Sequence, residues 1–317
     1  GHRKMATNDE FADLEPLPQD DGPDAVVRIR YSQNFRETMD RFRAILVREE
    51  VGERALRLTE HVVNLNAANY TAWAHRRRCL EALASDELWE RELEWSAEMA
   101  VDNPKNYQVW FHRRRVVERA RPDVGAELAF VAEALEEDAK NYHAWGYRQW
   151  LLRTLGGWEH ELSYCAKLLD DDCFNNSAWN QRMFVLQETG ALKDPGAVRT
   201  ELSFARKHLE AGADNAAPWN YALGLVEASD CAEDAAWLAE ACRVVLASAP
   251  ACVPAAATLV DMYAASGSDS LVEEAAALCR SLATQWDQIR SKYWALREAE
   301  LRGGGGVGAQ PSTTPSA

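Results

Sequence analysis

Basic residues are in short supply in this 317-residue chain: 35 Lys and Arg face 50 Asp and Glu, for a net charge of -15. Nucleic-acid affinity rests mostly on cations meeting phosphates, so a chain this acidic repels a polyanion and no nucleic-acid partner is expected. No run approaches the roughly 18 apolar residues of a membrane span, and the N-terminus lacks the apolar core of a signal peptide. The expectation is therefore a cytoplasmic protein with no membrane-embedded segment. Metal-ligand patterns are missing as well. Cys79, Cys165, Cys173, Cys231, Cys242, Cys252 and Cys279 are odd in number and form no C-x-x-C pair, and Cys165 and Cys173, eight apart, have no neighbouring His at ligand spacing. They fit reduced thiols, and no metal site built by this chain alone is expected. β-Branched runs are few while Ala, Leu, Glu and Arg abound, which makes helix the default.

The ends of the chain lack periodicity. Residues 1–27 are acidic and contain Pro, and Gly1 to Lys4 ahead of Met5 read as a tag remnant. Such a segment cannot bury enough apolar surface to offset its ordering entropy, so a disordered N-terminal arm is expected. Residues 303–317, GGGGVGAQPSTTPSA, read as a disordered tail of low complexity. Residues 28–302 are left to fold.

Tryptophan, in contrast, is plentiful at 12, and five of them keep a period. NYTAWAHRRRCL from Asn69, NYQVWFHRRRVV from Asn106, NYHAWGYRQWLL from Asn141 and NNSAWNQRMFVL from Asn175 align without gaps, and NAAPWNYALGLV from Asn215 is a degenerate fifth copy. Trp73, Trp110, Trp145, Trp179 and Trp219 mark steps of 37, 35, 34 and 40 residues, which suit one helical hairpin per repeat. Each Asn stands four residues before its Trp, where its side chain can cap a new helix. Arg76, Arg113, Arg148 and Arg182 fall three residues after Trp on the same helix face, within reach of a neighbouring helix or carboxylate. A second amphipathic helix follows each Trp helix, as in LWERELEWSAEMAV from Leu88, and we expect those two to form the hairpin. A lone hairpin cannot bury its apolar faces, so stacked neighbours are expected to build an all-α solenoid, a superhelix of tandem hairpins.

Asn-Tyr-x-x-Trp-x-x-Arg, repeated at this period and preceded by Asn-Pro-Lys or Asp-Ala-Lys, resembles the protein prenyltransferase α-subunit repeat from about Phe35 to Trp294. Within that family, DNPKNYQVWFHRRR, DAKNYHAW and NNSAWNQR look most similar to the branch that serves the CaaX-directed enzymes. The resemblance implies one half of an αβ heterodimer that transfers a farnesyl or geranylgeranyl group from its diphosphate to a Cys in a C-terminal CaaX sequence. It implies a β subunit that holds a catalytic Zn²⁺ and most of the isoprenoid pocket, with Mg²⁺ assisting farnesyl transfer. Small GTPases with CaaX tails are the implied protein substrates.

Comparison among the repeats locates the chemistry. Five residues before Trp stand Ala68, Lys105, Lys140, Phe174 and Asp214, so lysine occurs only in repeats two and three. These positions lie at helix N-termini, where free N–H groups and the positive dipole end favour an anion. By resemblance, Lys105 is the catalytic residue, stabilising charge on the departing diphosphate, and Gln108 hydrogen-bonds the carboxylate of the CaaX tail. Tyr107, Asn141, Tyr142 and His143 are implied to line the isoprenoid or peptide surface. The tyrosines have a second reading, because Tyr70 fills the same place in repeat one and the ring could simply pack the hairpin turn. Lys140 has two readings, a second active-site cation or a helix-flanking charge, and the second is favoured. His75 and His112 read as framework, and the HRRR runs as inter-helix salt bridges. Two other assignments share the period: a Rab-specific prenyltransferase α subunit, and a non-catalytic scaffold of tetratricopeptide type.

Overall fold

The computed structural model describes residues 10–229 and 231–303, and among them are fifteen α-helices and no strand. The tag remnant and nearly all of the C-terminal tail expected at 303–317 lie outside the described residues. The chain divides into two compact units, one up to Gly157 and one from Trp158. The first holds α1 (Gln33–Val47), α2 (Glu53–Leu65), α3 (Tyr70–Leu83), α4 (Asp86–Asp102), α5 (Tyr107–Ala120), α6 (Val124–Glu137) and α7 (Tyr142–Leu155). The second holds α8 (Glu161–Asp171), α9 (Asn176–Thr189), α10 (Pro195–Ala211), α11 (Ala216–Ser229), α12 (Ala232–Ser248), α13 (Val253–Ala265), α14 (Asp269–Ser281) and α15 (Ser291–Arg302). In each unit hairpin follows hairpin, so the fold class is the all-α solenoid that the period predicts.

The hairpins are phased differently from the expectation. The closest packing joins each Trp helix to the helix before it, as α2 with α3, α4 with α5, α6 with α7, α8 with α9 and α10 with α11. The turns explain this. A four-residue turn such as Asn66–Asn69 separates the members of each pair, and it closes on itself through the Asn69 N–H donating to the Asn66 carbonyl at 3.0 Å. The same bond recurs from Asn106 to Asn103, Asn141 to Asp138 and Asn175 to Asp172. Asx residues open these turns because their side-chain oxygens can accept from the backbone two residues on, as Asn66, Asp138 and Asp172 do.

All five asparagines cap their helices as expected. Every repeat tryptophan is buried, and its indole has a fixed target. Trp73, Trp110, Trp145, Trp179 and Trp219 each donate Nε1–H to the carbonyl six residues earlier, at 2.8 to 3.1 Å. One residue thus fills the core and also ties down the turn that introduces its own helix.

The Arg of the Trp helix spans three helices. Arg113 on α5 pairs in bidentate fashion with Glu127 on α6, at 2.7 and 2.8 Å, and donates to the Leu93 carbonyl on α4 at 2.9 Å. Arg76 makes the same contacts with Glu92 and Leu56, and Arg182 with Glu201 and Leu162. Each carboxylate also receives a donor from the next Trp helix: His112 for Glu92, Tyr147 for Glu127, Tyr221 for Glu201. Buried charge is tolerated here because every oxygen is met. His75 and His112 are framework, as expected; within the HRRR runs Arg76 and Arg113 make the inter-helix salt bridges, whereas Arg115 pairs with Glu118 on its own helix and Arg114 donates to the Gly146 carbonyl on α7.

The arm expected to be disordered over 1–27 departs from that expectation between Glu10 and Leu17. Phe11 and Leu14 are buried, the Asp13 carboxylate accepts from Arg54 and Arg48, and Glu10 pairs with Arg57. The Leu17 N–H donates to the Asp40 carbonyl at 3.1 Å, and Arg43 Nε donates to the Leu17 carbonyl at 2.8 Å. Two apolar anchors and a row of arginines on α1 and α2 order a segment that has no period of its own.

Candidate functional site

Lys105 stands in the turn between α4 and α5, and Tyr107 and Gln108 open α5. One repeat on, Asn141 closes the turn between α6 and α7, and Tyr142 and His143 open α7. Because α5 packs beside α7, these two helix starts lie together within the first unit. The Tyr107 and His143 rings meet edge-on with centroids 4.3 Å apart, and Tyr142 packs edge-on against the same imidazole at 5.5 Å. Partial burial lowers the pKa of the His143 imidazole from the ordinary value, against a smaller opposing influence of the nearby Lys105 backbone, and favours the neutral ring. The structure thus brings Lys105, Tyr107, Tyr142 and His143 to one place.

The lysine side chain is 77% exposed, and its ammonium lies 3.3 Å from the Asp138 carboxylate. Sequence reasoning passed over Asp138. The signal was present in the Asx that opens four of the five turns, three residues before the capping Asn, which puts Asp138 of repeat three beside the lysine of repeat two. Gln108 is partly exposed, with its backbone N–H taken by the Asn106 side chain at 2.9 Å.

The tyrosine rings do not pack their hairpin turns. Tyr70, Tyr107 and Tyr142 are 70%, 66% and 73% exposed, and Phe174 projects in the same way at the lysine position of repeat four. Asn141 is the opposite case. Its side chain is buried, with Oδ1 accepting from the His143 and Ala144 N–H groups and Nδ2 donating to the Pro104 carbonyl at 3.1 Å. The expected surface contact with substrate is not where the structure puts this amide, because both of its ends are engaged inside the protein.

Among the described residues no group of three or more His, Cys, Asp or Glu is placed to hold a metal ion, and no helix is long and apolar enough to cross a membrane. Burial pushes the thiols of Cys242 and Cys279 up to about 12 and about 11, so these side chains behave as core.

Chemically, the arrangement is a flexible cation on a fixed turn, beside two helix N-termini, with an aromatic and imidazole wall around it. Such a place suits a multiply charged anion attached to an apolar body.

Known proteins resemble the chain at this site and well beyond it. Residues 53–83, 89–120, 124–155 and 158–189 match the protein prenyltransferase alpha subunit repeat, each match covering a Trp helix and the region of the helix before it. The chain is 36% identical to the protein farnesyltransferase/geranylgeranyltransferase type-1 subunit alpha of Dictyostelium discoideum, over 93% of both chains. It is 58% identical to the protein of the same name from Arabidopsis thaliana over 74 residues, a match that spans only 23% of either protein. A chain of the Candida albicans protein geranylgeranyltransferase-I complexed with GGPP superposes with a TM-score of 0.83 at 28% identity, covering 94% of this chain and 100% of that one. Similarity of sequence over nearly the full length, together with a shared fold, has one consequence: the chain belongs to the protein prenyltransferase α-subunit family.

Proposed function

We propose that this chain is the α subunit of a CaaX protein prenyltransferase, working with a β subunit to move a farnesyl or geranylgeranyl group from its diphosphate onto a Cys near the C-terminus of a substrate protein. The observation that carries the reading is Lys105, exposed on a turn whose neighbouring backbone is fixed, with Tyr107, Tyr142 and His143 around it.

In the reaction the C–S bond forms at C1 of the isoprenoid as the C–O bond to the diphosphate breaks, and the electron pair leaves with the bridging oxygen. A cation that meets this growing charge binds the transition state more tightly than the substrate, which is the role of the Lys105 ammonium. Gln108, at the start of α5, offers an amide to the carboxylate of the CaaX tail. Zinc and magnesium belong to the assembled enzyme by family resemblance, but the described residues of this chain do not fit a zinc ligand set. A zinc ion would be held by the β subunit, and none of the roles given to this chain's residues passes through it.

The test is prenyl transfer to a fluorescent CaaX peptide by this chain alone, a β subunit alone, the co-expressed pair, and the pair carrying Lys105→Ala. Transfer by the pair only, with the variant assembled but slow in single turnover, supports the reading. Transfer that requires an escort protein would point to the Rab-specific branch, and a chain that joins no β subunit and confers no transfer would point to a scaffold.

A further inference from the structure

The backbone that carries Lys105 is clamped from two sides. The carbonyl oxygen of Pro104, the preceding residue, accepts from Trp110 Nε1 at 2.8 Å and from Asn141 Nδ2 at 3.1 Å. The two N–H groups that Asn141 caps fix which end of its amide is oxygen, so Nδ2 is the end that faces Pro104. The proline ring restricts φ on one side of this peptide group, and the two donors restrain its plane on the other. What remains mobile is the lysine stem, which starts from a fixed base.

The Trp bond recurs in all five repeats and is therefore framework. The full two-donor clamp also occurs in the second unit, where the Cys173 carbonyl accepts from Trp179 at 3.1 Å and from Asn215 at 2.7 Å. There the next residue is Phe174, which has no charge to place. The same device thus occurs in front of a lysine and also where no lysine follows, so its general and specific consequences can be separated.

We propose that Asn141 is a positioning residue for Lys105, acting through the Pro104 carbonyl to set where the ammonium meets the departing diphosphate, and that it does not itself touch substrate. The proposal rests on Lys105 having the role given above.

The test uses the co-expressed heterodimer with Asn141→Asp, Lys105→Ala, the two together, and Asn215→Asp. Aspartate retains the capping oxygen and loses the donor to Pro104. A companion Asn141→Ser, which keeps a short cap and cannot reach Pro104, separates the lost donor from the added charge and serves if the Asp variant does not assemble. Misplacing a catalytic group by about 1 Å can cost on the order of a hundredfold, so single-turnover transfer is expected to slow by about tenfold or more in either variant, with isoprenoid diphosphate affinity changed by less than about twofold. On the Lys105→Ala background the further change should be less than about twofold, because the group being positioned is gone. Asn215→Asp should lower the melting temperature comparably and leave the single-turnover rate within about twofold. Losses that multiply in the double variant, or an unchanged rate in the Asn141 single variants, would overturn the proposal. An unchanged rate for Lys105→Ala alone would overturn the functional reading instead.

Discussion

The Tyr107 ring stands edge-on to the His143 imidazole, 4.3 Å between centroids, so that repeats two and three share one wall. Tyr107 is mostly exposed, and removing it uncovers little core. Tyr107→Ala is expected to change unfolding free energy by less than about 0.5 kcal/mol, the usual range for surface sites. An aromatic contact of this kind corresponds to roughly threefold to tenfold in kcat/KM for the assembled enzyme. Calorimetry beside steady-state kinetics checks this, and a large stability loss with normal kinetics would return the ring to the framework.

On the role proposed for Lys105, Asp138 competes with the diphosphate for its ammonium. A diphosphate that reaches the ammonium must displace a carboxylate lying 3.3 Å away. Asp138→Asn keeps an oxygen able to accept from the Lys140 N–H and removes the charge. Exposed ion pairs contribute about 0 to 1 kcal/mol, so stability should fall by no more than that and KM for the isoprenoid diphosphate should drop by up to about fivefold. A rise in KM would mean instead that Asp138 helps aim the lysine.

The buried pairs behave differently. Arg113→Ala leaves Glu127 charged in the core, with Tyr147 as its remaining partner, and should cost about 3 to 5 kcal/mol in urea unfolding. Arg113→Met combined with Glu127→Leu and Tyr147→Phe, which leaves no hydroxyl orphaned, should recover most of that loss, because the desolvation penalty disappears along with the attraction. A triple variant as unstable as the single would show that the ion pair is strongly net stabilising.

Acid should unfold the chain in two stages. Burial lowers the pKa of His75, His112 and His208 from the ordinary 6.5, so each folds as a neutral ring. The stability this contributes is whole above pH 6.5 and is lost as pH falls through the depressed folded values. Burial pushes the Glu92 carboxyl up, but Arg76 and His112 more than offset it and bring it to about 2. A neutral His112 still donates to Glu92 through Nε2–H, in keeping with its partnerless Nδ1. The Glu92 contribution is complete above pH 4.5 and is lost as pH falls through the lowered folded value. Melting temperature followed from pH 8 to 3 tests this; a flat profile above pH 5 would contradict the neutral histidines.

Much of this was legible in the sequence, because Trp, its capping Asn and its Arg each carry a local instruction at fixed spacing. The hairpin phase was not, because a period does not say which neighbour a helix pairs with. Arg76 is drawn to Glu92 on the following helix, yet α3 packs most closely on α2, and only the short closed turn decides between them. Lys105 stood out because repeats could be compared. Asn141 was expected at the substrate surface, and its clamp on Pro104 was not legible, since its cap looks like every other cap and Pro104 lies 37 residues back. The docked segment around Phe11 and Leu14 escaped notice for a related reason: its order comes from Arg48, Arg54 and Arg57, distant in sequence.

The indole bond to each turn divides the labour of the repeat. It secures the backbone of the turn without using the side chain that follows, so Ala68, Lys105, Lys140, Phe174 and Asp214 can occupy equivalent places on nearly the same frame. Each turn is thus a socket whose occupant can be exchanged with little penalty to folding. A lineage could try a new charge or ring at one socket while its neighbours kept the protein whole, and chemistry could be acquired one repeat at a time.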